Sequence, residues 1–481
     1  MGVRSRAERL AFRRGISLLT LTLLLPGSAQ LLVGGVGLGR FALRVWMVVV
    51  GTLLLFGVGL LVARDWALAV YAFPLTQTAL SVIVLVLGVG WALLFLDAWR
   101  LSCPRSMGGR GKYWMAALAG ILAFAVGFGS TQAAALSRSQ AALFGSVFVG
   151  GGKADPSEGR INVLLLGADA DPKRPGIRTD TIMVASVSAE TGRTALFSLP
   201  RNLQWAPFPR TSPLYAQYPD GFWCPDESCL LNAVYNLGQE NDHLYPGVPQ
   251  PGLVAIREAV AEILGLQINY HVMIDMGGFE DIIDALGGVT LDIAERVPMG
   301  GGSSPIFDYI EPGQGVHLDG YHALWFARSR VGSDDYARMA RQKCVVNAVA
   351  KQATPMNVLT RFNELATTGA AIVTTDIPTG EIGPLITMAE QGRLLPIAST
   401  SFAPPLIQPV KPDLERIREI VAEQIAASVA KDVAVARRSG QADRSTGTAA
   451  PVSAAPDTGE AAESPEEPRQ AEDLSDLCGV A

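Results

Sequence analysis

Two carboxylates and a set of arginines stand where chemistry is most readily placed, at the ends of apolar segments. Asp169 closes the run Asn162-Val163-Leu164-Leu165-Leu166-Gly167-Ala168-Asp169, and Asp180 stands in Arg178-Thr179-Asp180-Thr181, just before a β-branched run. Strand ends are where sheet proteins present ligand groups. Arg178, Arg201, Arg328 and Arg330 also fall at loop or strand-end positions. Guanidinium groups grip phosphate oxygens in a two-pronged fork and stay charged. Carboxylate oxygens beside a pyrophosphate suit Mg2+ or another divalent cation, which takes one or two carboxylates and completes its shell with phosphate oxygens and water. Such a cluster, with no other evident nucleophile, suits phosphoryl transfer, where positioning and charge stabilisation do most of the work. Turn aspartates and surface salt bridges are the plainer account, and spacing alone does not separate the two.

The elements that must position these groups read as α/β. Apolar or β-branched runs at 161–166, 181–188, 194–199, 268–274 and 289–293 predict strands. Helical spacing predicts helices over 253–264, 278–286, 335–351 and 413–428, the first closed by Gly265 and the second by Gly287-Gly288. Strands alternating with helices imply a mixed or parallel sheet covered on both faces. On the helix at 335–351, Asp335, Arg338 and Gln342 share one face. The stretch Leu324-Trp325-Phe326-Ala327 is ambiguous. As a strand, it would send Arg328 and Arg330 to the same or opposite faces depending on where it ends.

The first part of the chain is different in kind. Hydrophobic residues make up 49% of 481 residues, and the excess lies before residue 136. Stretches at 45–63, 77–96 and 114–136 are long enough to span a bilayer. A fourth apolar stretch, 16–38, is interrupted by Pro26-Gly27 and by Gly34-Gly35. The positive-inside rule favours the cytoplasm for the arginines between Arg4 and Arg14, for Arg40 with Arg44, and for the loop from Arg100 to Lys112. Three spans satisfy all of these if 16–38 is re-entrant or interfacial. The N-terminus is then cytoplasmic and the rest extracytoplasmic. The net charge is −6, but residues 441–481 carry nine acidic and two basic residues, so the remainder is near +1. No basic excess points to nucleic acid. The expected organisation is an anchor over 1–136, a linker over 137–157, an α/β domain over 158–430 and a disordered acidic tail over 431–481.

Taken in order, the motifs resemble the LytR-CpsA-Psr family of cell-wall glycopolymer ligases. Besides the runs ending at Asp169 and beginning at Arg178, the matching pieces include Ser198-Leu199-Pro200-Arg201-Asn202 and Leu231-Asn232-Ala233-Val234-Tyr235. Further matches are Asp284-Ala285-Leu286-Gly287-Gly288-Val289, Leu318-Asp319-Gly320, and Phe326-Ala327-Arg328-Ser329-Arg330 through Asp335, Arg338 and Arg341-Gln342. The resemblance spans roughly 160–352. It implies an α/β/α sandwich with an apolar lipid pocket between sheet and helices. It also implies transfer of a glycopolymer, with one phosphate, from a polyprenyl-pyrophosphate carrier onto a peptidoglycan hydroxyl. By position, Asp169 and Asp180 would hold Mg2+. Arg178, Arg201, Arg328, Arg330, Arg338 and Gln342, with Asn232, would hold the pyrophosphate and steady the transition state. Asp335 would orient an arginine or accept a proton. The chain departs from the family pattern at Ala168, Asn202 and Leu230-Leu231, where Ser, Asp and a basic residue are common. The multi-span anchor and Ala-, Arg- and Gly-rich composition resemble an actinobacterial member. The competing readings are a non-catalytic polyprenyl-phosphate-binding scaffold and a polyprenyl-pyrophosphate hydrolase.

The five cysteines suit an oxidising compartment. Cys224 and Cys229 flank a four-residue loop and could close a small bridge. Pairing of Cys344 with Cys478 would pin the tail to the domain. Free thiols and a Cys229–Cys344 bridge are the alternatives. Cys103 falls in the cytoplasmic loop. The four histidines have no zinc-ligand spacing.

Overall fold

The structure is a computed structural model that describes residues 2–63, 67, 70, 71, 73–102, 109–147, 156, 159–169, 176–301, 304–332, 334–352, 373–442, 472–474 and 478. Cys103, most of the linker and the tail residues 443–471 lie outside this set. The chain divides into two compact units, Met1–Ser146 with Thr379–Gly383, and Val147–Pro378 with Pro384–Ala481.

The first unit is built from helices α1 (Gly2–Leu24), α2 (Ser28–Val33), α3 (Val36–Val62), α4 (Pro74–Leu101) and α5 (Gly109–Val147). Three stretches are long and apolar enough to cross a membrane: Val36–Val62, Leu75–Leu101 and Arg110–Arg138. Side chains such as Leu55, Leu61 and Val62 are exposed on this unit's surface, as lipid-facing residues would be. The interrupted stretch 16–38 is no continuous helix. It breaks at Gly27 (φ 93°) and Gly34 (φ 110°). A Cβ on Gly27 would fall 2.7 Å from the Gly39 carbonyl oxygen, so only glycine lets the chain fold back here. Inside the unit, the Gln30 amide donates to the Leu94 carbonyl at 3.1 Å and the Trp91 indole to the Thr22 carbonyl at 2.9 Å. Helix α5 continues to Val147, so the first part of the expected linker is helical.

Among the described residues the second unit carries eleven strands. They are β1 (Arg160–Asp169), β2 (Arg178–Ser188), β3 (Thr194–Leu199), β4 (Tyr270–Asp275), β5 (Val289–Ile293), β6 (Val297–Gly301), β7 (Ser304–Ile310), β8 (Gly313–Leu318), β9 (Val373–Thr375), β10 (Ala398–Ser401) and β11 (Glu472–Asp473). Its helices are α6 (Val234–Glu240), α7 (Pro251–Leu264), α8 (Met276–Leu286), α9 (Gly320–Arg328), α10 (Asp335–Gln352), α11 (Ile382–Gly392) and α12 (Leu414–Ala442). One seven-stranded sheet runs β11-β10-β3-β2-β1-β4-β9. It is mixed: β1 pairs parallel with β4 and β3 with β10, while the other neighbours are antiparallel. Two-stranded ladders β5–β8 and β6–β7 stand apart from it.

Alternation along the strands divides the core in two. Leu164, Leu166, Val184 and Phe197 face α7 and α12 through Ile256, Val260, Ile417 and Ile420. Leu165, Met183 and Leu196 face the opposite way, toward Ile283 of α8, Phe326 of α9 and Val345 of α10. Each fully buried large side chain among these contributes roughly 1.5–3 kcal/mol. Two sequence readings are refined here. Residues 324–327, left ambiguous by the sequence, form the end of helix α9. Its N-cap Asp319 accepts from the His322 amide at 2.9 Å, a cap that an apolar run read without its flanks does not reveal. The last helix passes residue 430 to reach Ala442, and β11 brings residues of the acidic segment back into the sheet.

Candidate active site

The functional side chains meet where β1 and β3 end and β2 begins. Between Gly167 and Ala168 the β1–β2 register slips, so that Gly167 faces Thr181 and Ala168 faces Thr179. Asp180 is the extra residue of this β-bulge, and a bulge re-aims the side chain that it carries. Gly167 is required beside it, because a Cβ there would lie 2.9 Å from the Thr181 side chain. Asp180 Oδ1 accepts from the Arg201 guanidinium at 3.0 Å and from the Asn232 amide at 3.1 Å. Arg330 approaches Asp180 Oδ2 to 3.9 Å.

Asp335, the first residue of α10, completes the network. Its Oδ2 accepts from Arg201 Nε at 3.1 Å and from Arg338 at 3.0 Å. Arg338 also donates to the Asp180 backbone carbonyl at 3.3 Å. Asp335 therefore contacts two guanidiniums at once. The structure thus gathers Asp180, Arg201, Asn232, Arg330, Asp335 and Arg338, three of them cationic groups set around two carboxylates.

Burial alone would raise the Asp180 carboxyl, but Arg201, Asn232 and Arg338 outweigh it and hold it below the ordinary carboxylate range. Burial presses Arg338 down to about 10, opposed by Asp335 and Asp180, so it is cationic at neutral pH. For Arg201 the pull of Asp180 and Asp335 exceeds the cost of burial and the net shift is upward. A depressed carboxyl contributes stability that is complete above its unfolded value, near pH 3.9 by ordinary carboxylate behaviour (~3.9), and is lost as pH falls through the lower folded value. The stability difference between wild type and Asp180→Asn is accordingly expected to stay constant from pH 7 down to about pH 4 and to shrink below it. Thermal melts across that range check this; a gap that closes between pH 7 and 5 would contradict it.

The network opens onto a cavity of about 1120 Å³. Its walls are apolar, with Leu165, Met183 and Ile274 from the sheet, Phe279 from α8, and Trp325 and Val346 from the covering helices. Its polar lining includes Asp169, Asp275, Asp180, Arg328, Arg330, Arg338 and Gln342. Asp169 ends β1 in register with Arg178 of β2. Arg178 is exposed and is not among the residues lining the cavity, so its expected place in the phosphate set has no support from this geometry. Arg328 lies over the Trp325 ring at 4.9 Å and takes no part in the ion-pair network described above. Gln342 donates to the Ala327 carbonyl at 3.3 Å.

Arg341, part of a matching motif but given no role, emerges as a positioning group. It donates to the Phe326 carbonyl at 2.8 Å and to the Ser329 carbonyl. With Gln342 it satisfies the open carbonyls at the end of α9 and so fixes the turn that carries Arg330. A cation near such a terminus is also favoured by the helix dipole. No sequence signal distinguishes this arginine from its neighbours, because its partners are backbone atoms.

Among the described residues no group of three or more His, Cys, Asp or Glu side chains is placed to hold a metal. Asp169 and Asp180 offer two hard oxygen donors at the cavity's polar end. That donor set fits an ion such as Mg2+ only where substrate oxygens and water complete the shell.

The second unit thus sets an arginine–carboxylate cluster at the strand ends of a mixed sheet, with an apolar cavity beside it. Residues 132–399, more than half of the chain, match the LytR_cpsA_psr family, and the chain belongs to it. The chain is 29% identical over 229 residues to the polyisoprenyl-teichoic acid–peptidoglycan teichoic acid transferase TagU of Oceanobacillus iheyensis, covering 47% of this chain and 62% of that one. It is 26% identical over 220 residues to the TagU of Enterococcus faecalis, covering 45% and 61%. The chain thus spans about three fifths of the length of these relatives. Among solved structures it is similar to Bacillus subtilis TagV, at 22% identity and a TM-score of 0.40, covering 56% of this chain and 97% of that one. It is also similar to TagT bound to LIIa-WTA, at 20% identity and a TM-score of 0.37, covering 56% and 92%.

Proposed function

We propose that the second unit is an extracytoplasmic phosphotransferase that moves a glycopolymer, with one phosphate, from a polyprenyl-pyrophosphate carrier onto a peptidoglycan hydroxyl. The observation that carries this reading is the cavity, apolar over most of its lining and charged where arginines and aspartates gather. A polyprenyl tail and a pyrophosphate head have that same division. The relatives named as transferases of teichoic acid onto peptidoglycan support the choice of polymer and acceptor class. The three apolar helices anchor the chain, with the N-terminal arginines on the cytoplasmic side. Two disulfides in the second unit suit the opposite, oxidising side.

In this reading the acceptor hydroxyl oxygen attacks the sugar-side phosphorus. A new P–O bond forms as the bond to the bridging oxygen breaks. The polyprenyl monophosphate leaves with that oxygen, and the hydroxyl proton passes to solvent or to the leaving phosphate. Arg201, Arg330 and Arg338 neutralise charge on the bridging and equatorial oxygens, and Asp335 keeps two of them aimed. Asn232 holds Asp180 in place. Asp169 and Asp180 would hold a divalent cation, which would neutralise the pyrophosphate further.

The full-length protein in detergent, given polyprenyl-pyrophosphate-linked glycan and peptidoglycan, is expected to form phosphodiester-linked product. EDTA is expected to abolish this, and added Mg2+ to restore it. Lipid binding without turnover would mean a scaffold instead. Phosphate release independent of acceptor would mean a hydrolase.

A further inference from the structure

The loop that follows Arg201 carries an aromatic pair that the transfer reading does not use. Trp205 and Trp223 stack with ring centroids 4.9 Å apart and planes 13° from parallel. Trp205 covers one face of Trp223, yet Trp223 remains 40% exposed. Large aromatic side chains left in water in this way are favoured where a partner with an apolar face must be met.

The pair is held rigid. Trp205 sits at φ 57°, a left-handed conformation that a bulky residue rarely adopts. Such outliers persist only where the surroundings enforce them, and they gather at functional sites. Here the enforcement is visible. Ala206 and Phe222 form an isolated β-bridge, with the Phe222 amide donating to the Ala206 carbonyl at 2.8 Å. Gly221 (φ 105°) packs so closely that a Cβ would lie 2.8 Å from the Trp205 carbonyl oxygen. The Cys224–Cys229 disulfide closes the segment immediately after Trp223.

The platform is tied to the ion-pair network. The Leu231 amide donates to the Leu203 carbonyl at 2.8 Å and the Asn232 amide to the Arg201 carbonyl at 3.0 Å. These bonds lash the Trp205 loop to two residues that contact Asp180. Four Cα steps separate Arg201 from Trp205, at most about 14 Å of chain. A molecule gripped at Arg201 by its phosphate can therefore lay an attached or incoming group across Trp223.

We infer that the Trp205–Trp223 pair is a sugar-stacking subsite that receives a pyranose ring on the free face of Trp223. A pyranose presents a patch of axial C–H bonds, apolar and slightly positive, that matches the negative π face of an indole. Its edge hydroxyls remain free to bond with solvent. The choice of a sugar rests on the proposed transfer reaction, in which both donor and acceptor are glycans.

The test uses the full-length chain in detergent and three probes: peptidoglycan glycan strands freed of stem peptides, a polyprenyl-pyrophosphate disaccharide, and polyprenyl monophosphate, which has no sugar. Trp223→Ala is expected to weaken one of the two sugar-bearing probes at least tenfold, with polyprenyl monophosphate unchanged. Loss on the glycan strands makes the ring an acceptor sugar; loss on the disaccharide makes it a donor sugar. Trp223→Phe, which keeps an aromatic face, is expected to recover most of the binding. The inference is overturned if both sugar probes bind Trp223→Ala as they bind wild type. It is also overturned if polyprenyl monophosphate weakens equally, since that marks a structural effect. Because binding is read without turnover, a wild type that binds sugars through Trp223 but transfers nothing would defeat the transfer reading and leave the subsite standing. Turnover unaffected by Trp223→Ala, with unchanged sugar binding, would do the reverse.

Discussion

Replacing Arg201 by alanine is expected to lower kcat by about 100- to 1000-fold, roughly 3–4 kcal/mol, the scale seen when one charge-stabilising donor is removed from a site that is pre-organised for it. Arg201 is the one guanidinium in the network that touches both carboxylates, Asp180 at 3.0 Å and Asp335 at 3.1 Å. Its loss removes a cation from the pyrophosphate, leaving Asp180 to Asn232 and Asp335 to Arg338. Arg338 would still reach the Asp180 backbone carbonyl, so the first turn of α10 keeps one tie to β2. Arg201→Lys retains the charge but not the fork that serves two partners at once, and is expected to fall between wild type and alanine. Single-turnover rates with saturating lipid, alongside thermal melts, separate a chemical loss from unfolding. An Arg201→Ala protein with wild-type turnover would remove this residue from the site.

The second large effect concerns a bond remote from any phosphate. Cys344 of α10 is joined to Cys478 across 134 residues of sequence. In the chain-entropy account, closing a loop of that length contributes about 5 kcal/mol, against about 2 kcal/mol for a loop as short as the one that Cys224–Cys229 closes. Measured values run lower, so Cys478→Ser is expected to cost about 2–4 kcal/mol. That is on the order of 5–10 °C in melting temperature for a domain of this size. Cys229→Ser is expected to cost less. The tail is also held without the sulfurs. Leu474 is fully buried, its amide donates to the Ile397 carbonyl at 3.1 Å, and the Asn347 amide donates to its carbonyl at 3.3 Å. Cys344 and Asn347 sit on the same helix as Asp335 and Arg338. Six residues separate Arg338 from Cys344, about 9 Å along the helix. Opening the bridge is therefore expected to loosen the site as well as the fold. Melting with and without a thiol reductant, read with turnover, checks both; equal melting of wild type and Cys478→Ser would reject the staple.

Much of this architecture is written in local patterns. Apolar alternation marked β1, β2 and β3, and helical spacing marked α7, α8 and α10, because period two and period 3.6 are properties of a few consecutive residues. The short strands β9, β10 and β11, at or next to the sheet edges, left no such mark. They have two to four residues each and gain their pairing only from a sheet already formed. The end of helix α9 was ambiguous because its apolar run lacks period, and its capping aspartate, Asp319, lies five residues before Leu324.

The site divides in the same way. The sequence by itself determined which side chains are available: the ordered motifs, the family, and the common face of Asp335, Arg338 and Gln342 on one helix. Only the tertiary structure decided which of them meet. It turned Arg328 onto Trp325, left Arg178 exposed, and joined Arg201 to an aspartate 134 residues away. It also placed Asp180 on a bulge, where a slip of one residue decides which face of β2 the carboxylate serves. Periodicity reports neighbours along a chain. Register between strands and contact between distant elements depend on how whole surfaces pack, and no short stretch of sequence contains that information.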